Sequence, residues 1–355
     1  MMSARDEALV DDCRRSITAS GVKGLEPLRG SRVLITGGTG FVGTWLLATL
    51  AHLNDAHGFG VEVTAFARFP SRMATQAPFL VDRPDIRLIE ADVRQFVEPP
   101  AGLQWIVHAA ADPDSRHHAT KPIETASVIA EGTARVLRMA EQANGLRGVL
   151  HFSSGLVHAA RDIEGKTGGA RVGASAVYAE SKAFSEALCA AYRTQSRLPI
   201  VITRPYTFLG PFQSLDAPWA ANNFLHAALH GQPLKLLGGG DAARSYLYGS
   251  DMAVLALHQL VGGRSGDTFD LGGTEELSLL GLAQAVVTAA ARPLEIRVNT
   301  SGKDPGMGTG ANRFVPDITP STRAFGFDPV FTPAQAIART LAWHSPAQSG
   351  QRRAV

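Results

Sequence analysis

Three glycines at one strand-to-helix junction constrain this chain more than any other feature of its 355 residues. The segment reads Arg32-Val-Leu-Ile-Thr-Gly-Gly-Thr-Gly-Phe-Val-Gly43. Val33, Leu34 and Ile35 form the short apolar run of a buried strand, and Phe41 to Leu53 reads as a mostly apolar helix. Gly37, Gly40 and Gly43 between them make a G-x-x-G-x-x-G turn that lets backbone approach a pyrophosphate. The helix start at Phe41 and Val42 adds unpaired N–H groups and a partial positive charge. A strand before and a helix after are the context that a dinucleotide fingerprint requires.

From Ser31 onward strands and helices alternate. Val61 to Ala67, Ile86 to Ala91, Trp105 to Ala111, Gly148 to Ser154 and Pro199 to Arg204 read as the second to sixth strands. The clearest helical patterns are Glu131 to Asn144 and Tyr178 to Arg193. This alternation specifies an α/β fold, a Rossmann-type doubly wound parallel sheet with ligands at the carboxyl ends of its strands. Asp92, Ala109 to Ala111, Ser153 and Ser154 fall at such ends. Past Gly210-Pro211 the chain becomes rich in Gly and Pro and reads as a smaller C-terminal substrate lobe. Phe269 to Gly272 and helices over Leu279 to Ala291 and Thr332 to Trp343 would complete it. The expected division is an appendage over 1–30, packed on the domain or on a partner subunit and with one short polar helix from Ala8 to Ile17, and a dinucleotide-binding domain over 31–210. A mainly substrate-binding lobe over 211–345 and a tail over 346–355 follow. Thr300 to Asn312 reads as mobile.

Composition narrows the class. A formal net charge of +2 argues against a dedicated nucleic-acid surface. No apolar run approaches the ~18 residues that a membrane span needs. Cys13 and Cys189 are the only cysteines, which suits a reducing cytoplasm better than a disulfide framework. The start of the chain carries Asp6, Glu7, Asp11 and Asp12 and lacks the apolar core of a secretory signal. The histidines show no metal-ligand spacing, so no metal is expected.

The second chemical signal is Tyr178-Ala-Glu-Ser-Lys182, about 140 residues beyond the glycine turn. Tyr and Lys four residues apart share one face of a helix. An ammonium beside a phenol favours the phenolate, so Tyr178 is expected to titrate below the usual ~10 and to exchange a proton with a substrate hydroxyl.

Together these segments resemble the extended short-chain dehydrogenase/reductases, in particular the nucleotide-sugar epimerase/dehydratase group, from about Arg32 to Trp343. Thr36 to Gly43 resembles the cofactor turn, Asp92-Val93 the adenine-contacting pair, and His108 to Ala111 the strand beside the nicotinamide ribose. Phe152 to Val157 resembles the Ser/Thr strand, and Arg204 to Pro211 the R-P-x-x-x-x-G-P segment. Gly238 to Asp251 resembles a segment whose Arg grips a diphosphate, and Arg313 to Asp317 a late R-x-x-P-D element. The resemblance implies catalysis by Ser154, Tyr178 and Lys182. It implies cofactor contacts at Gly37, Gly40, Phe41, Val42, Gly43, Arg68, Asp92, Val93, Ala109, Ala110, Ala111, Tyr178 and Lys182. Substrate contacts would be Ser154, Thr207, Asn223, Arg244 and Arg313. It also implies a homodimer through the helices Glu131 to Asn144 and Tyr178 to Arg193.

The implied activity is NAD(P)-dependent hydride transfer at a ring carbon of a nucleotide-diphosphate sugar, C4 favoured, by an epimerase or ketoreductase. The alternatives are a nucleotide-sugar dehydratase, a reductase of a non-sugar carbonyl, or, in another class, a non-catalytic dinucleotide sensor. Ser154, Tyr178 and Lys182 speak against the sensor. Members that eliminate water carry Asp-Glu directly after the catalytic Ser or Thr. Gly155-Leu156 stand there, so no dehydration is expected unless Asp112 or Glu180 enters the pocket. The family often has Asn where Thr207 stands, Asn where Ile129 precedes Gly132-Thr133, and Tyr where His158 stands. The second strand ends Phe66-Ala67-Arg68 without the acid usual for an NAD ribose. Arg68 and Arg72 tilt the expectation towards NADP.

Overall fold

The apolar run at Arg32–Thr36 (β1) lies inside a seven-stranded sheet in the computed structural model, which describes residues 3–95, 98–161, 176–299 and 313–345. The other strands are Glu62–Ala67 (β2), Ile86–Glu90 (β3), Trp105–His108 (β4), Gly148–Phe152 (β5), Ile200–Pro205 (β6) and Thr268–Leu271 (β7). They stand in the order β7-β6-β5-β4-β1-β2-β3, and every pairing is parallel. Successive side chains leave opposite faces, so Val33 and Ile35 enter one buried cluster and Leu34 the other. A sheet covered on both faces demands unbroken apolar strands, which is why β1 shows no polar alternation. Strand order reverses between β1 and β4, and a crevice opens at their carboxyl ends.

The helices run longer than their sequence patterns. They span Phe41–His57, Pro122–Gln142 and Val177–Ser196. The second starts nine residues before the expected Glu131, with a proline in its first turn, where a missing N–H costs nothing. Two strands end sooner than expected, β4 at His108 and β5 at Phe152, leaving Ala109 to Ala111 and Ser153-Ser154 as loop at the crevice.

Two expectations about organisation meet detail that the sequence did not carry. Of the two packings open to the segment before residue 31, on the domain or on a partner subunit, the structure shows the first. Ala4–Ser20 is a helix closed by a capping box at Ser3 and Asp6. It buries Leu9, Cys13 and Ile17 against the helices Phe41–His57 and Gly249–Gly262. Its apolar face is three residues wide in a charged sequence, too thin to read as core. The boundary at residue 210 is also not a clean one. Thr268–Leu271 pairs with β6 in the main sheet, and Gly249–Gly262, buried along most of its length, packs on β5 and β6. What remains of the later chain forms the lobe: helices Ala220–His230, Leu279–Ala289 and Pro333–His344 and three small sheets. One of these joins Ala243–Ser245 to Glu276–Ser278 and Arg313–Phe314. Thr300 to Asn312 and the tail 346–355 lie outside the described residues. No described helix is long and apolar enough to cross a membrane, and both cysteines are buried and free.

Candidate active site

The glycine turn is shaped by contacts that leave no room for side chains. Gly37 adopts φ +77°, and a Cβ there would stand 3.0 Å from the Ala109 carbonyl oxygen. The N–H groups of Gly37 and Gly38 both donate to the Phe66 carbonyl at 2.9 Å, tying the turn to the end of β2. A Cβ on Gly43 would lie 2.3 Å from the Gly37 oxygen, so the third glycine lets the helix sit directly on the turn. A cavity of about 1120 Å³ opens here, with Gly37, Gly40, Phe41 and Val42 on its wall; Gly43, expected to touch the cofactor, is buried off the wall. The bare backbone and free helix start fit a dinucleotide pyrophosphate.

At one end of the cavity stand Arg68, Arg72, Asp92 and Val93. Arg68 is half exposed and only 3.8 Å from Glu124, a loose pairing. Asp92 accepts from Arg94 at 2.6 and 2.9 Å, and that guanidinium holds its carboxyl down at about 2. Val93 packs on Gly132, where a Cβ would stand 2.7 Å from its methyl.

At the other end Ala109, Ala110 and Ala111 meet Ser154, Tyr178 and Lys182. Tyr178 and Lys182 sit one turn apart on the helix Val177–Ser196, 9% and 4% exposed. Glu186, one turn further on, accepts from Ser153 at 2.6 Å and from both ends of the Arg204 guanidinium at 2.8 and 2.7 Å. It thereby locks this helix to β6 and to the residue beside Ser154. Ser154 Oγ accepts from the Leu156 N–H at 3.1 Å.

The electrostatics correct the expectation for the phenol. Burial pushes Tyr178 up to about 12; a hydrogen bond from Ser154 opposes the shift and the Asp112 carboxylate adds to it. Lys182 lies 5.9 Å from the Tyr178 ring centroid, but its ammonium donates to the Phe152 carbonyl at 2.6 Å. Burial lowers it to about 8. Burial thus favours the neutral phenol, because desolvation outweighs the Ser154 hydrogen bond. Beneath the site, His108 is held neutral by burial at about 3, between the hydroxyls of Thr36 and Thr133 at 2.8 and 3.1 Å.

The lobe supplies the far wall. Thr207 and Arg244 line the cavity, and Arg244 is only 7% exposed. Arg313 is in register one residue away on the neighbouring strand, but it points out to Glu276 at 2.9 Å and stays off the wall. Asn223 is exposed on Ala220–His230, also off the wall; its neighbour Asn222 is the buried one, donating to the Ser214 carbonyl at 2.8 Å. His158 turns to Asp270 at 3.7 Å. A Cβ on Gly155 would meet the Tyr206 ring at 2.7 Å, so an aromatic ring occupies that space. Asp112 and Glu180 both reach the cavity wall.

Sequence reasoning missed two wall residues and left Asp112 only as a possibility. Tyr206 carried no pattern, since only the convergence of β6 and the lobe brings it in. His118 was read only for metal spacing, yet its ring stacks on Tyr178 with centroids 4.3 Å apart and planes at 12°.

The family model described as "NAD dependent epimerase/dehydratase family" matches residues 33–272. Among curated relatives, UDP-glucuronic acid decarboxylase 1 of Danio rerio is 28% identical over 331 residues, covering 91% of this chain and 75% of its own. A dTDP-glucose 4,6-dehydratase of Streptomyces niveus is 27% identical over 323 residues, covering 88% and 92%. Among solved structures, the Bordetella bronchiseptica enzyme WbmF in complex with NAD+ and UDP has a TM-score of 0.73 at 21% identity, with 90% and 93% of the two chains covered. UDP-glucuronic acid 4-epimerase from Bacillus cereus, in complex with UDP-glucuronic acid and NAD, has a TM-score of 0.71 at 20% identity, with 88% and 98% covered.

Proposed function

Because the chain belongs to the NAD dependent epimerase/dehydratase family, we propose that it oxidises and reduces a ring carbon, C4 favoured, of a nucleotide-diphosphate sugar, as an epimerase or ketoreductase. The observation that carries this reading is one cavity walled by the glycine turn, by Ser154, Tyr178 and Lys182, and by the buried Arg244. The turn would hold the pyrophosphate of the cofactor, and Arg244 the diphosphate of the substrate. Bound there, nicotinamide supplies hydride acceptance and return. Tyr178 exchanges the proton of the reacting hydroxyl, Ser154 hydrogen-bonds the same oxygen, and Lys182 holds the ribose side of the site. A phenol at about 12 is poised to protonate a keto group. In the reverse step Tyr178 would take the hydroxyl proton, a transfer that positive charge beside the phenol favours.

The two related structures are complexes with NAD. The finer cofactor choice remains our own reading: Arg68 and Arg72 flank the cavity where a 2′-phosphate would come, and no acid stands at Ala67. Titration with both oxidised cofactors tests it, and tighter NAD binding overturns the preference for NADP. We further propose a homodimer through Pro122–Gln142 and Val177–Ser196, which pack on each other and expose Ile123 and Phe184.

Mass spectrometry of UDP- and dTDP-sugars after incubation tests the main reading. An epimer has unchanged mass, dehydration removes one water, and decarboxylation removes one carbon dioxide. Turnover of none, with either cofactor, favours the sensor. Tyr178→Phe should lower turnover by a factor on the order of 10² to 10⁴ while leaving cofactor binding in place. Activity within a few fold of the unaltered protein removes Tyr178 from its role.

A further inference from the structure

The loop after β4 carries a histidine for which the hydride mechanism has no use. His118 belongs to the short helix Ser115–Thr120, whose start is fixed by Asp114 accepting from the Arg116 N–H at 2.8 Å. The Asp114 carboxylate also takes the Arg116 guanidinium at 2.6 Å. His118 is 7% exposed, and what remains open faces the cavity that Tyr178 also lines. The two rings stack at 4.3 Å.

One ring nitrogen is committed. Nε2 lies 2.8 Å from the Asp112 carbonyl oxygen, which can only accept. Nε2 therefore carries the hydrogen, and Nδ1 of the neutral ring is left as an acceptor. Among the described residues Nδ1 has no hydrogen-bond partner, and it is not one of the sealed polar atoms that lack one. An acceptor held rigidly in a ligand cleft, unpaired yet reachable, selects for a ligand that donates to it, because a bound ligand without a donor strands it.

We propose that His118 is a specificity-determining residue whose Nδ1 accepts a hydrogen bond from a sugar hydroxyl next to the one that Tyr178 serves. The assignment rests on the nucleotide-sugar reading and adds to it a requirement: the ring carbon beside the reacting one bears a free hydroxyl. The stack has a second consequence. It fixes the Tyr178 ring plane, so the two hydroxyls are read by groups held in one rigid unit.

Calorimetric titration of the NAD-loaded protein with UDP, UDP-glucose, dTDP and dTDP-glucose separates sugar recognition from nucleotide recognition. His118→Phe keeps a stacking ring and removes the acceptor; His118→Asn returns an oxygen near the place of Nδ1. We expect His118→Phe to bind the glucose conjugate about 10-fold more weakly, with the free nucleotide within twofold of the unaltered protein. His118→Asn should recover part of that loss. Equal losses for nucleotide and conjugate, or none for either, overturn the assignment. If the unaltered protein binds neither nucleotide nor conjugate, the nucleotide-sugar reading itself fails, and the role of His118 with it.

Discussion

Replacing Gly43 by Ala adds one methyl group where the structure has no space for it. The new Cβ would stand 2.3 Å from the Gly37 carbonyl oxygen and 2.7 and 2.8 Å from Gly38 backbone carbons. Ordinary contact begins at about 3.4 Å, so turn and helix must part by roughly 1 Å. No flexible side chain can absorb this, since the three nearest atoms are all backbone. Overpacking of this kind costs about 1 to 3 kcal/mol. The displaced part is the turn assigned to the pyrophosphate, and its N–H groups hold Phe66 at the end of β2. If the turn retreats, the cost falls on cofactor affinity, about 5- to 150-fold in Kd at about 1.4 kcal/mol per tenfold. If the helix retreats, it falls on stability, because Trp45, Leu46 and Leu50 of that helix are core. Fluorescence titration with NAD and NADP, paired with thermal melts, reads both. Cofactor binding within twofold together with an unchanged melting temperature would refute the packing role of Gly43.

Three further outcomes follow from the same contacts. Asp12 is pushed up to about 6 by burial, although Tyr248 donates to it at 2.6 Å and Arg339 approaches to 2.6 Å. Between 3.8 and about 6 the folded protein holds a proton that the unfolded chain has lost, so this group's contribution falls as pH rises through that window. Asp12→Asn should therefore gain on the unaltered protein by about 2 kcal/mol between pH 4 and pH 7; a constant difference in denaturation midpoints contradicts this. Incubation with UDP-glucose or dTDP-glucose should give no product lighter by one water. Gly155 and Leu156 carry no acid, and of the two wall carboxylates Asp112 is engaged by His117 at 2.5 Å, which leaves Glu180; such a product would show that Glu180 or Asp112 has taken the role. Light scattering at micromolar concentration should give a dimer mass, and Ile123→Glu with Phe184→Glu a monomer; a monomeric unaltered protein refutes the interface.

Local sequence determined the parts of this protein that depend on short-range geometry. The glycine turn is legible because only glycine tolerates the φ of Gly37 and the approach of Gly43 to Gly37. The pairing of Tyr178 with Lys182 on one helix face follows from helical period alone, and the parallel sheet from the alternation of strands and helices. Tertiary structure decided the rest. Burial, a property of the assembled core, set Tyr178 at about 12 and Lys182 at about 8, where the ammonium's proximity in sequence had suggested a lowered phenol. Helix Ala4–Ser20 and strand β7 joined the main domain because distant segments offered them apolar surface and a free sheet edge. Arg244 and Arg313 stand on adjoining strands, yet only one reaches the cavity, since Glu276 takes the other. His118 met Tyr178 across sixty residues of chain because two loops end at the same edge of the sheet, a convergence that no spacing in the sequence encodes.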